Sequence, residues 1–190
     1  MDADLNWWSS HLHLPSPLWP LLGPIILHDH NAFSDASSGV GLGIIVGEHW
    51  HAWAFIGDWQ SQGHDIRWAE AVTFELLTHT LTSLFGPNNN FKCHGDNTGV
   101  AKGWWKGSSK NSQTNIIFRW IHKFSEAAGV HFHTQYMPSQ HNPADAPSRG
   151  ILGPPNCLLP PVPLPSTLLP FIRDASDPSA WPWDLELPSK

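Results

Sequence analysis

The sequence predicts an α/β domain built on a mixed sheet, and three observations carry that prediction. Three short β-prone runs follow one another between residues 32 and 56, separated only by tight turns. Two further strand-like runs, at 91–95 and 130–137, are set apart by stretches of helical periodicity. The longer of those stretches carry apolar residues at helical spacing and end on Gly-containing stops. Consecutive strands with short connections form an antiparallel meander, whereas strands joined through helices pair in parallel. A chain with both needs one sheet of mixed direction covered by helices.

The first strand is Ala32-Phe33-Ser34-Asp35-Ala36, and Ser37, Ser38 and Gly39 turn the chain back into a second strand over about 40–46. Gly47-Glu48 is the next turn, and residues 49–56 alternate as a third strand. After a polar loop, Asp65 is a helix N-cap. Ala69, Val72, Leu76, Leu77, Leu81 and Leu84 then keep helical spacing up to the Gly86-Pro87 stop. The fourth strand ends on Asp96-Asn97 and leads into a short helix over 98–105 and a Gly-Ser-Lys segment. A helix over 112–128 places Ile116, Ile117, Trp120, Ile121 and Phe124 on one side, and Gly129 caps it. The fifth strand follows, then a loop over 138–143, and Ala144-Asp145 opens a last short helix. The order is β-β-β-α-β-α-α-β-α, with five strands.

Composition bounds the rest. With 190 residues, 41% of them apolar, the chain can pack one domain with extensions. No apolar run approaches the roughly 18 residues of a membrane span. The first residues lack the basic and apolar blocks of a signal peptide, and Cys93 and Cys157 fall in no metal or redox motif. The expectation is an intracellular protein, cytoplasmic or nuclear, neither secreted nor membrane-bound. A net charge of −6 disfavours a general nucleic-acid glue but suits a site whose own acids hold divalent cations. Residues 1–30, broken by Pro15, Pro17, Pro20 and Gly23-Pro24, read as a connecting segment, and residues 31–152 as the domain. Residues 153–190 form a Pro/Leu-rich tail, expected to be extended, partly disordered or wrapped on the surface and to add little to the core, with Trp181 and Trp183 available for docking.

Four acids occupy strategic positions: Asp35 in the first strand, Glu70 in the first turns of the long helix, Asp96 at the end of strand four and Asp145 at the start of the last helix. Alone, each has a plain structural role, as a turn or helix cap or a solvated helix-face carboxylate. If strand one is central and strand four lies parallel beside it, the four converge at the carboxyl ends of the strands, where open α/β sheets bind ligands. Carboxylates gathered there repel one another unless hard cations such as Mg²⁺ or Mn²⁺ join them. Glu75, five residues beyond Glu70 and turned well away from it, is the fallback acid.

Ser34-Asp35-Ala36-Ser37-Ser38-Gly39-Val40-Gly41, Trp68-Ala69-Glu70-Ala71, Asp96-Asn97 and the run from Tyr136 to Gly150, with its phrase Asn142-Pro143-Ala144-Asp145-Ala146-Pro147-Ser148-Arg149-Gly150, resemble the ribonuclease H domain of retroelement reverse transcriptases. The hepadnaviral and DIRS-like branch is the nearest in flavour. The resemblance spans about residues 31–152, and residues 3–30 resemble the connection that follows the polymerase part of such enzymes, although no polymerase motif is present. It implies a ribonuclease H-like fold: a five-stranded mixed sheet with helices on both faces. It also implies a metal-dependent endonuclease that cuts the RNA strand of an RNA–DNA hybrid. On that reading Asp35, Glu70, Asp96 and Asp145 hold two Mg²⁺ or Mn²⁺ ions. Ser37, Gly39, Asn97 and Arg149 are candidates to meet the hybrid, and an upstream polymerase domain is an implied partner.

Two departures stand out. The family's cellular-type enzymes have a loop histidine roughly ten residues before the last acid. Gln135 stands there in this chain, and His141, four before Asp145, is the nearest loop histidine and the candidate to substitute for it. A strongly basic substrate handle is also missing. Lys102, Lys106 and Lys110 around Trp104-Trp105 are the best candidates for phosphate contact; the plainer reading makes the tryptophans core and the lysines solvated. Two other functions compete with the nuclease: a non-catalytic ribonuclease H-like scaffold from a decayed or domesticated retroelement, and a DNA recombinase or resolvase of the same fold. The Ala-Asp-x-Pro-Ser-Arg phrase argues against the last.

Overall fold

The computed structural model of the chain describes residues 26–176. The expected connecting segment, up to residue 25, and Trp181 and Trp183 lie outside the described residues. Strands β1 (His28–Ser37), β2 (Gly41–Val46) and β3 (His49–Phe55) form the meander. They are followed by helix α1 (Ile66–Phe85), β4 (Asn90–Gly95), α2 (Thr98–Lys106), α3 (Ser112–Ala128), β5 (His131–Tyr136), the short α4 (Asp145–Ser148) and β6 (Ile172–Asp174). The sheet order is β5-β4-β1-β2-β3-β6, with β4 and β5 parallel to β1 and the other pairs antiparallel. This is the expected α/β architecture of a mixed sheet covered by helices, with β1 inside the sheet and β4 parallel beside it.

Helix α1 explains how the sheet closes. Asp65 caps it by accepting from the Arg67 and Trp68 amides, at 2.9 and 3.1 Å, and Gly86 ends it at φ 84°. Its residues are buried on nearly every side because it lies between β1–β2 and α3. A helix apolar all round belongs at the centre of a layer. Its buried threonines are satisfied locally: Thr73 and Thr80 donate to carbonyls one turn back, each at 2.8 Å. Helix α3 faces α1 with Ile117, Phe118 and Ile121, while Ile116 and Trp120 of the expected stripe are 40% and 44% exposed. The stripe is therefore narrower than its apolar content suggests.

On the opposite face of the sheet, α4 lies over β1, β2 and β3. Gly43 makes that approach possible: a Cβ there would sit 2.4 Å from the Ser148 amide nitrogen and 2.8 Å from the Ala144 carbonyl oxygen. With helices on both faces, Leu42 and Ile44 point to the α1 side and Gly43 to the α4 side, as strand alternation requires.

Two expectations are corrected. The sheet has six strands, not five, and residues 154–176 are not peripheral. Ile172-Arg173-Asp174 pairs with Phe55-Ala54-Trp53 and covers the outer edge of β3. Unpaired edge strands leave a row of donors and acceptors open, and a Pro-free run of the tail satisfies them. Leu159, Leu168 and Ile172 join the main core, and the tail covers Trp50, whose indole N–H donates to the Pro154 carbonyl at 3.0 Å. The prolines prevent regular pairing, but the leucines and isoleucine between them still bury apolar surface. His51, itself buried, lies 3.1 Å from the Asp174 carboxylate and fastens the new edge.

Leu168→Ala is therefore expected to cost about 2–5 kcal/mol, the usual loss for emptying a buried leucine site. Urea unfolding checks this; a variant as stable as the parent would return the tail to the surface.

Candidate metal centre

The register of the parallel pair builds the site. Ser34 lies opposite Gly95, so the next residues, Asp35 and Asp96, emerge side by side where β4 ends and its pairing with β1 stops. Glu70 reaches the same point from the second turn of α1, where the Ala36 amide donates to its carboxylate. Asp35, Glu70 and Asp96 each offer an oxygen such that all three atoms lie within 4.8 Å of one another. Asp35 and Glu70 are buried, 4% and 7% exposed.

Burial above all, with neighbouring negative charge added, raises the carboxyls of Asp35 and Glu70. Burial pushes the Asp35 carboxyl up from 3.8 to about 6, with Asp96 and Asp145 adding repulsion and Ser148 opposing through its hydrogen bond. Glu70 is pushed well above its ordinary value by burial and by the charges of Asp35 and Asp96. Asp96 Oδ1 is buried and has no hydrogen-bond partner. Native structures rarely leave a carboxylate oxygen so, and a bound ion is one of the explanations. A hard-oxygen donor set with an orphaned oxygen fits a divalent ion such as Mg²⁺ or Mn²⁺.

Asp145 sits outside this group of three. Its Oδ1 accepts from Arg149 Nε at 2.7 Å, and it acts on Asp35 through its charge. Helix α4 nonetheless brings a different partner into contact: Ser148 Oγ donates to Asp35 Oδ2 at 2.5 Å. Asn142, 5% exposed, donates to the Ser34 carbonyl at 3.0 Å and lies 3.5 Å from Asp35 Oδ1. Its own oxygen accepts from the Ala144 amide. Sequence reasoning singles out neither residue. The available signal is two small polar residues flanking Asp145 at three positions on either side, inside the phrase that carries the resemblance.

The remaining candidates spread around this cluster. His141 is exposed in a 3₁₀ turn (Ser139–His141), with its Nε2 3.1 Å from Gln140 Nε2. Asn97 caps α2, its side-chain oxygen taking the Gly99 and Val100 amides. Ser37 is half-buried and Gly39 exposed at the β1–β2 turn. Lys102, Lys106 and Lys110 are exposed, as is Arg149 apart from its bond to Asp145. The tryptophan pair divides between the two readings offered for it: Trp104 is core, donating to the Phe132 carbonyl, and Trp105 is 60% exposed, anchored on the Thr134 carbonyl at 3.0 Å. Glu75 is not in the cluster.

No family model matches the chain, and no curated protein matches it. Among solved structures it is similar to RNase H1 from the halophilic archaeon Halobacterium salinarum NRC-1, with a TM-score of 0.48 and 16% identity, covering 66% of this chain and 97% of that one. Among the described residues no helix is long and apolar enough to cross a membrane.

The raised Asp35 carboxyl gives a signed pH dependence. In the metal-free protein the native state holds its proton up to about pH 6 while the unfolded chain releases it near 3.8, so stability falls as pH rises through that window. Asp35→Asn removes the loss. Denaturant unfolding in EDTA should show the variant gaining on the parent between about pH 4 and pH 6, by up to about 3 kcal/mol, and holding the gain above it. A constant difference across the window would contradict the burial argument.

Proposed function

We propose that the chain is a divalent-metal-dependent ribonuclease H that cleaves the RNA strand of RNA–DNA hybrids, and that it belongs to a retroelement reverse transcriptase. The observation that carries this reading is the mutual approach of Asp35, Glu70 and Asp96 within 4.8 Å at the carboxyl ends of two parallel strands. The retroelement assignment rests on the Asn-Pro-Ala-Asp-x-Pro-Ser-Arg-Gly phrase, whose Asn142 and Ser148 both reach Asp35.

Asp35, Glu70 and Asp96 would hold two Mg²⁺ or Mn²⁺ ions, with Asp145 contributing charge from α4. Bound there, the ions supply Lewis acidity toward a scissile phosphate and lower the pKa of a water, so that no protein nucleophile is needed. The chain's own residues pre-organise that chemistry. Ser148 and Asn142 hold the two oxygens of Asp35 from the α4 face, and the Ala36 amide holds Glu70 from the sheet edge. Fixed carboxylates need no reorganisation when charge develops on the phosphate.

On the same reading, exposed Lys102, Lys106 and Lys110 meet phosphates of the hybrid, and Trp105 presents an indole beside them. Discrimination for RNA then comes from 2′-hydroxyl contacts in the wide minor groove, for which Ser37, Gly39 and Asn97 are the candidates, with Arg149 beside Asp145. His141 is the candidate to relay a proton from the loop before α4.

Asp35→Asn tests the proposal. It keeps the shape of the site and removes one hard-ion ligand, so cleavage of a labelled RNA–DNA hybrid in Mg²⁺ or Mn²⁺ should fall by about 10³-fold or more. Folding and hybrid binding should persist. Wild-type protein that leaves the hybrid intact in both metals would favour the scaffold reading.

A further inference from the structure

A cavity lies on the side of α1 away from the acid cluster. It has a volume of about 800 Å³ and is framed by α1, α3 and the strap of tail residues 162–167. Its walls are mostly apolar, with Trp120, Phe124 and Leu164 prominent among them. Three ionisable side chains line it, His79, Lys123 and Glu75; Lys123 is exposed, and Glu75 is the buried one, only 4% exposed. Its Oε2 has no hydrogen-bond partner, and its Oε1 is 3.9 Å from His79 Nε2, beyond hydrogen-bond length. Lys123, also on the cavity wall, directs its ammonium away to the Trp120 ring, 5.8 Å from its centre, and no hydrogen bond joins it to Glu75 Oε2.

A buried carboxylate oxygen without a donor is costly. The cavity is of the size that holds small ligands, and it has the usual design of apolar walls with few placed polar groups. An anion would meet the Glu75 charge, and a neutral apolar molecule would leave Oε2 without a donor. A metal ion finds too few ligands: among the described residues the group of three or more is the one at Asp35, Glu70 and Asp96. What satisfies both the carboxylate and the aromatic walls is a cationic nitrogen on a flat apolar body.

We infer that this cavity binds a small organic cation, an ammonium or amidinium carried on an aromatic group, with Glu75 as its counter-ion. Glu75 lies five residues from Glu70, about 140° around the helix, so the two sites sit on different faces of α1. The inference does not depend on the nuclease reading, and its test reads binding instead of cleavage.

The test is calorimetric titration of the full chain with three indoles of one shape: tryptamine, neutral tryptophol and anionic indole-3-acetate. Mg²⁺ is present throughout to occupy the acid cluster. Tryptamine should bind one to one, tryptophol about tenfold or more weakly, and indole-3-acetate not measurably. Glu75→Gln should bring tryptamine down to the level of tryptophol. Ala127→Trp, at an exposed position on the cavity wall, should weaken both and serves if the Gln variant fails to fold. Absence of tryptamine binding, equal affinity for tryptamine and tryptophol, or tryptamine binding unchanged in either folded variant would overturn the inference.

Discussion

Repulsion among carboxylates held out of water is the constraint on which this structure turns. At a separation of 4.8 Å, two unit charges in a protein-like medium repel by about 3–4 kcal/mol, and three such pairs rival the whole stability of about 5–15 kcal/mol that a domain commands. Asp35, Glu70 and Asp96 cannot all stay ionised there unaided. Protons or cations must share the site, and the raised carboxyls of Asp35 and Glu70 express the first of these alternatives.

Much of the surrounding architecture holds those acids together against that repulsion. The β1–β4 register sets Asp35 beside Asp96, and the packed α1 leaves Glu70 little room to turn away. Gly43, opposite Asp35 on β2, lets α4 lie against the sheet so that Ser148 reaches the Asp35 carboxylate. Residues 154–176 stabilise the same sheet from the other edge, through β6, Leu168 and the Trp50–Pro154 bond. A site that stores electrostatic strain needs a rigid frame, and here the frame extends into a stretch that reads as tail.

The fold was legible where local signals and tertiary demands coincide. The turn at Ser37-Ser38-Gly39, the Asp65 cap, the Gly86 and Gly129 stops and the order of elements as far as α4 all followed from residue chemistry. β1 begins earlier than expected, at His28, because an irregularity in the β1–β4 register, with Asn31 at φ 51°, carries the strand past polar residues that hide its periodicity. The sixth strand was hidden because three residues among prolines carry no period; only the open edge of β3 gives them a partner. For the site, the three clustered acids were visible as acids at element ends, whereas Ser148 and Asn142 were not. Their roles depend on how closely α4 approaches, and that distance is decided by a glycine on another strand.

The central claim is that the acid cluster is a divalent-cation site. Titration of the isotope-labelled protein with Mn²⁺ at neutral pH tests it most directly, because the ion broadens backbone resonances close to where it binds. The account predicts selective loss of signals from residues around Asp35, Glu70 and Asp96, reversed by excess Mg²⁺ and absent in Asp35→Asn. Broadening that is uniform over the surface, or centred elsewhere in the fold, would contradict it.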